Sequence, residues 1–372
     1  MGLVLALSGP GSYYGKVQAN GAKLAAAQIK AAGGPDFQIV LKDHKSGDTQ
    51  AGVQVTRELG QEGVHFALYS YFGVVGSALP GIEQYKILSL DGGGGTGVAG
   101  KGKPYFYGSR ANTPHDSYDG VAQFIKQAHP DAKTVALAVS DYGPAFTDEA
   151  TQLLEAALEK QGLSLVTTEV LPVGSQDYSS SIAKLQSSGA DVISLGTFGN
   201  DTGYFLKSLK AAGDDTPVIG AEYTSDLKDV AGAAADNYTF ASDYFNAASP
   251  DNDWGKYFVE SYTKAYPGAD APDFYAADYY EDMFTFWQVL QRLDAEGKKA
   301  DNPDDVLAAF TSDLAFPSVY GVSADGKPYG IYAFDASTHA PKIRQMGVYQ
   351  FDGTAVKPLA TFGIGGADFQ MK

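Results

Sequence analysis

Two glycine motifs are the first candidates for chemistry in this sequence. Gly9-Pro10-Gly11-Ser12-Tyr13-Tyr14-Gly15 fits GxGxxxG between a short apolar run and a helical stretch. This pattern is a relative of the turn that cradles a dinucleotide pyrophosphate, and Asp43 at the end of the next strand could pose as the acid that binds the ribose. Pro10 removes one N–H from that turn and Tyr13-Tyr14 crowd it, so a plain strand-to-helix turn lined with aromatics is the better reading. Gly95-Thr96-Gly97-Val98-Ala99-Gly100-Lys101 satisfies GxxxxGK. Gly102 stands where Mg²⁺ binding needs a hydroxyl, and Gly102-Lys103-Pro104 cannot open the helix that must follow, so no phosphate loop is expected. Gly92 to Gly95 can instead turn several N–H groups towards one point and make a nest for a carboxylate; a flexible loop is the equal alternative.

Catalytic constellations are otherwise poor. The five histidines, His44, His65, His115, His129 and His339, show no metal-ligand spacing, and nothing matches GxSxG. Adjacent carboxylates such as Asp214-Asp215 and Asp304-Asp305 read as solvated turns or helix caps. Neither an enzyme nor a cofactor or metal is expected.

Aromatics are what the strand ends do supply. Tyr14 follows the first strand, Tyr71 and Phe72 the third, Tyr142 and Phe146 the fifth, and Phe198 and Tyr223 later ones. Core packing puts aromatics inside strands and on helix stripes, as at Phe284, Phe286 and Trp287. Aromatics in loops at carboxyl strand ends suit a concave site that encloses an apolar body with a few polar anchors.

The elements that must position these loops alternate between strand and helix, the pattern of a parallel sheet covered on both faces. Leu3 to Leu7 reads as a strand, Tyr14 to Lys30 as a helix, Phe37 to Leu41 as a strand, Gln50 to Glu62 as a helix, and Phe66 to Leu68 and Lys86 to Leu90 as strands. A second cycle begins at the strand Lys133 to Val139, which ends in Ser140-Asp141-Tyr142-Gly143-Pro144 before a helix, much as the first cycle runs strand, Ser-Gly-Pro, tyrosines, helix. The boundary falls near Gly108 to Thr113, with a helix capped by Thr113 and Pro114 at its first position. The last part is not a third cycle: helices are expected at Asp253 to Tyr266 and Phe274 to Leu293, and strands at Tyr329 to Phe334 and Lys342 to Gln350.

Composition bounds the partners. The 372 residues carry 27 basic and 44 acidic side chains, a net charge of -17, which repels phosphate backbones and anionic lipid surfaces. Nucleic acid and direct membrane insertion are therefore not expected, and no run approaches the roughly 18 apolar residues of a spanning helix. Without cysteine there are no disulfides, thiolate nucleophiles or cysteine-based metal sites. The chain opens inside a strand, so Met1 reads as standing in for a removed leader.

On these residues the chain resembles the extracytoplasmic solute-binding proteins of the Leu/Ile/Val-binding family, the type I periplasmic binding fold that feeds ABC importers. The likeness rests on Leu5 to Gly15 with Asn20-Gly21-Ala22, on Ile29 to Gly34, on Asp141-Tyr142-Gly143, and above all on Asp177 to Gly220. It implies an α/β fold of two Rossmann-like lobes with parallel central sheets and a three-segment hinge, residues 1–110 with 245–333 and 111–244 with 334–372. It also implies a monomer outside the cytoplasm, a ligand in the cleft between the lobes, closure on binding, and a transporter permease as partner. Tyr14, Tyr142 and Glu222 match the family's positions, with Glu222 facing an ammonium group in amino-acid binders. The hydroxyl-rich loops of those binders are replaced here by Ser70 to Gly76 and Asp91 to Gly95. A buried site that loses a donor rejects ligands that need it. The expected ligand is a branched-chain or other apolar amino acid, or an aromatic or apolar carboxylate. Tyr14, Tyr71, Phe72, Gly92, Gly93 and Gly94 would serve from the first lobe, and Tyr142, Phe146, Phe198, Glu222 and Tyr223 from the second. Backbone amides, and as a second candidate Arg110 at the lobe boundary, would supply the positive potential. A sensor ectodomain of the same fold, and more remotely a nucleotide-dependent enzyme, are the competing readings.

Overall fold

The apolar run at the start forms β1, Gly2–Leu5, buried along its whole length because helices cover both faces of a parallel sheet. The computed structural model describes residues 1–9, 11–93, 100–243 and 245–372, with Phe72 and Ala145 described by their backbone alone. It divides into two compact units, Met1–Asn112 with Phe245–Arg344 and Thr113–Tyr244 with Gln345–Lys372.

The first unit holds a parallel sheet in the order β2-β1-β3-β4-β5, adding β2 (Val40–Asp43), β3 (Phe66–Tyr69), β4 (Leu88–Asp91) and β5 (Phe106–Gly108). Its helices include α1 (Ser12–Ala31), α2 (Thr49–Gln61) and α3 (Phe72–Tyr85). Asp48 caps α2 by accepting from the N–H groups of Gln50 and Ala51 at 2.9 and 3.0 Å. The long helix Phe274–Ala295 packs on α1 so closely that a Cβ at Gly21 would overlap the carbonyl of Ala276. A small antiparallel sheet, β11 (Ala315–Ser318), β12 (Gly330–Phe334) and β13 (Pro341–Ile343), completes the unit.

Three expectations are corrected here. The second strand is Val40–Asp43 and not Phe37 to Leu41, because β1 pairs from Gly2 with Val40 onward. Between β3 and β4 lies α3, which sequence patterning hides: Pro80 and several glycines interrupt its period, and Lys86 ends it with φ of 52°. The expected strand Lys342 to Gln350 is two strands of different units. β13 pairs with β12, β14 (Gln345–Phe351) joins the other sheet, and buried Arg344 stands between them. The last passage between units therefore falls after residue 344, where 333 was expected.

The second unit is built on an eight-stranded mixed sheet. β6 (Thr134–Ser140), β7 (Ser164–Leu171), β8 (Val192–Gly196), β9 (Val218–Gly220) and β10 (Thr239–Ser242) run parallel in the order β7-β6-β8-β9-β10. β14, β15 (Val356–Gly363) and β16 (Gln370–Met371) extend it antiparallel. The β14–β15 turn is local chemistry: the Asp352 carboxylate accepts from the N–H groups of Thr354 and Ala355, and Gly353 takes φ of 93°. The helix expected from Pro114 starts with a 3₁₀ turn at His115–Ser117 and continues as Tyr118–Ala128. The chain passes between the units three times, after residues 112, 244 and 344.

Candidate ligand-binding site

In the first unit the carboxyl ends of β1, β3 and β4 gather a group of aromatic rings. Tyr14, in the first turn of α1, meets Tyr71 edge-on at 6.1 Å and Tyr275 at 4.8 Å between ring centroids. Tyr275 was missed in the sequence because it lies far along the chain; its local signal was Pro272-Asp273 opening the long helix. Asp273 accepts from the Ala276 N–H at 2.9 Å and from the Tyr13 hydroxyl at 2.8 Å, tying the two helix starts together. The Arg110 guanidinium is buried over the faces of Phe274 and Tyr275, at 4.6 and 4.8 Å.

Tyr71 is held in an unusual backbone conformation, φ of 69°, directly before α3. Its ring packs 5.0 Å from that of His44, which has no exposure to solvent. The Gly47 N–H donates to Nδ1 of His44 at 3.1 Å, so the ring proton sits on Nε2, which donates to the Ser70 hydroxyl at 2.9 Å. Burial lowers the His44 pKa to about 4 and keeps the ring neutral.

The glycine readings are settled by where their N–H groups point. Gly11 donates to the Ser46 hydroxyl at 2.9 Å, and Asp43 accepts from Leu7, Ser8 and Lys45, so neither is left to cradle a dinucleotide. The anion nest expected at Gly92 and Gly93 is also corrected. Gly92 donates to the Tyr69 carbonyl at 3.1 Å and Gly93 to the Asp91 carboxylate at 2.6 Å. These glycines serve close packing: a Cβ at Gly93 would lie 2.7 Å from the Tyr71 nitrogen, and one at Gly92 2.6 Å from Asp278 Oδ2. Gly94 lies outside the described residues, as does the side chain of Phe72, whose backbone begins α3. The start of α3 adjoins the same loops and, as a helix N-terminus, is a source of positive potential.

In the second unit Tyr142, Phe146 and Phe198 come together beyond β6 and β8. Tyr142 is 51% exposed, with its ring 5.4 Å from Phe146 and 6.2 Å from Phe198. Loss of solvent around the phenol, followed by the charges of Asp201 and Glu222, raises its pKa. Phe146 packs in turn 4.9 Å from His115, a buried ring missed in the sequence because no spacing marked it. His115 Nδ1 lies 3.5 Å from Glu149, yet burial lowers its pKa to about 4, so the contact is not an ion pair at neutral pH. Glu222 is buried and accepts from the Gly199 N–H at 3.2 Å. Tyr223 is placed elsewhere: it stacks on Phe240 at 5.6 Å and Phe351 at 4.8 Å, against the sheet.

The family model for periplasmic binding proteins matches residues 1–355. The chain belongs to this family. Among relatives of this periplasmic binding protein, the Leu/Ile/Val-binding protein homolog 8 of Brucella abortus is 26% identical over 380 residues, covering 95% of this chain and 89% of that one. Two solved structures share the fold. The branched-chain amino acid transporter substrate-binding protein of Streptococcus pneumoniae, in complex with isoleucine, matches with a TM-score of 0.78 at 20% identity over 96% of this chain and 98% of that one. An ABC transporter solute-binding protein of R. palustris, in complex with benzoate, matches with 0.80 at 17% identity over 100% and 97%. Among the described residues of the binding protein no helix is long and apolar enough to cross a membrane, and no group of three or more His, Asp or Glu could hold a metal ion.

Proposed function

We propose that this periplasmic binding protein takes up a small solute with an apolar or aromatic body and one carboxylate, and presents it to an ABC importer outside the cytoplasm without chemical change. The observation that carries this reading is the grouping of aromatic rings at carboxyl strand ends within each unit: Tyr14, Tyr71 and Tyr275 in one, Tyr142, Phe146 and Phe198 in the other. Binding favours the form of the protein that the transporter reads, by as much as the solute's differential affinity for that form. The carboxylate sits at the positive start of α3 in place of the amides of Gly92 and Gly93, which already have partners. Half-buried Tyr223, stacked on Phe240 and Phe351, is given no part in ligand binding.

Two ligand classes remain within this reading, as relatives complexed with isoleucine and with benzoate illustrate. Buried Glu222 favours a ligand with an ammonium group, and the replacement of the hydroxyl loops by Tyr71 and glycines favours an aromatic acid. A thermal-shift panel with branched-chain amino acids, benzoate, hydroxybenzoates and NAD separates them. Stabilisation by isoleucine or by benzoate supports the reading, and stabilisation by NAD alone overturns it.

A further inference from the structure

Tyr71 keeps φ of 69°, where L side chains are rarely found, and its ring packs on those of His44 and Tyr14. Such a conformation costs free energy and persists only where the surroundings over-determine it. What holds it comes from far along the chain. Tyr279, in the long helix Phe274–Ala295, has no exposure to solvent and donates its hydroxyl at 2.5 Å to the carbonyl of Tyr69, two residues before Tyr71. The Gly92 N–H donates to the same carbonyl at 3.1 Å, and a Cβ at Gly92 would overlap the Tyr279 ring, so the long helix, the β4 loop and the end of β3 are fitted together. Gly93, whose N–H is held by the Asp91 carboxylate, leaves no room for a Cβ between itself and the Tyr71 nitrogen. On the far side of Tyr71, the N–H groups of Val74 and Val75 both donate to its carbonyl at 3.0 Å and open α3.

A phenylalanine would fill the same space as Tyr279, so what the tyrosine adds is the tie from its hydroxyl to the Tyr69 carbonyl. We propose that Tyr279 is a positioning residue for the ligand site: it holds the end of β3 against the β4 loop and thereby keeps Tyr71 in the backbone conformation that carries its ring to Tyr14. Every group in this relation lies in the first unit. Tyr279 need not touch the solute, and the bearing on the ligand rests on the reading that Tyr71 does.

Tyr279→Phe removes the tie and keeps the ring. Amide hydrogen exchange, read by mass spectrometry on peptides spanning residues 70–76, is expected to quicken about fivefold, the equivalent of one lost hydrogen bond, while β1 and β6 exchange as in the parent. Tyr69→Phe is the control. The Thr56 hydroxyl donates to the Gly52 carbonyl, so the Tyr69 phenol donates to Thr56 at 2.9 Å, and its loss takes a buried hydroxyl from the same strand without touching the Tyr71 loop. Exchange over 70–76 is expected to stay at the parent rate in this variant. An unchanged rate over 70–76 in folded Tyr279→Phe overturns the proposal. Quickening that β1 shares, or that Tyr69→Phe reproduces, overturns it too, since either marks a general loss of stability. Calorimetric titration with isoleucine and with benzoate then adds the solute: the Kd of whichever binds the parent is expected to rise about fivefold in Tyr279→Phe. A quickened loop with an unchanged Kd overturns the reading of Tyr71 as a ligand contact. The exchange experiment uses no ligand, so a failed ligand panel and a failed exchange experiment are separate results.

Discussion

The hydroxyl of Tyr71 occupies the space that a side chain at position 11 would need. The turn after β1 and the turn after β3 are thus fitted to one another, with Tyr71 further fixed by His44 on one side and Tyr14 on the other. Gly11 has φ of -92°, so its requirement is space and not an unusual backbone.

It follows that Gly11→Ala must displace the Tyr71 ring. Ligand affinity is expected to fall by about tenfold or more, ~1.4 kcal/mol, with the far-UV circular dichroism unchanged. Calorimetric titration with the solute identified in the panel checks this, and an unchanged Kd removes Tyr71 from the site.

Tyr142 and Tyr223 are expected to respond oppositely to truncation. Half-exposed Tyr142 contributes little to the core, so Tyr142→Ala weakens binding by about tenfold and leaves the unfolding midpoint near that of the parent. Tyr223 is stacked on Phe240 and Phe351, so Tyr223→Ala lowers stability, by about 2–3 kcal/mol, with affinity retained. Urea unfolding and calorimetry on both variants separate the roles.

His44 and His115 are buried neutral, each with its pKa lowered from 6.5 to about 4. The unfolded chain binds more protons than the folded one between those values. Their contribution to stability is therefore complete above about pH 6.5 and is lost as pH falls towards 4, up to about 3 kcal/mol for each ring. Carboxyl groups whose pKa burial raises, such as Asp201 and Glu149, pull the other way, so the comparison is with a variant. His44→Gln is expected to flatten the fall of the thermal midpoint between pH 7 and 4.5; a slope equal to the parent's contradicts the buried neutral ring.

Arg344 is buried between Asp278 and Glu281 with its guanidinium 3.9 Å from the Tyr320 ring. Arg344→Met leaves buried carboxylates without their cation and is expected to cost about 3–5 kcal/mol, read as a lower urea midpoint. A midpoint unchanged from the parent would show that the carboxyls are neutral without it.

Strand and helix alternation, the two tandem cycles and the aromatic loops could all be read along the chain, because each is a local pattern: apolar runs, helical spacing, and Gly, Pro and Ser at the strand ends. Local pattern failed at α3, where Pro80 and the glycines break the helical period but packing of Val74, Val75, Ala78 and Ile82 into the core restores the helix. It failed again at Arg344, where a run read as one strand serves two sheets.

By itself the sequence determined the fold class and the family, since both depend on the order of elements and the residues at their ends. Only tertiary structure decided which partners those candidate groups take within the protein. Tyr14, Tyr71 and Tyr275 meet across long stretches of chain, the amides of Gly92 and Gly93 are taken by Tyr69 and Asp91, and Tyr223 turns into the sheet. The physical reason is that residue type and spacing set what a group can bond, whereas the partner it does bond is set by whichever distant element packing brings within about 3 Å.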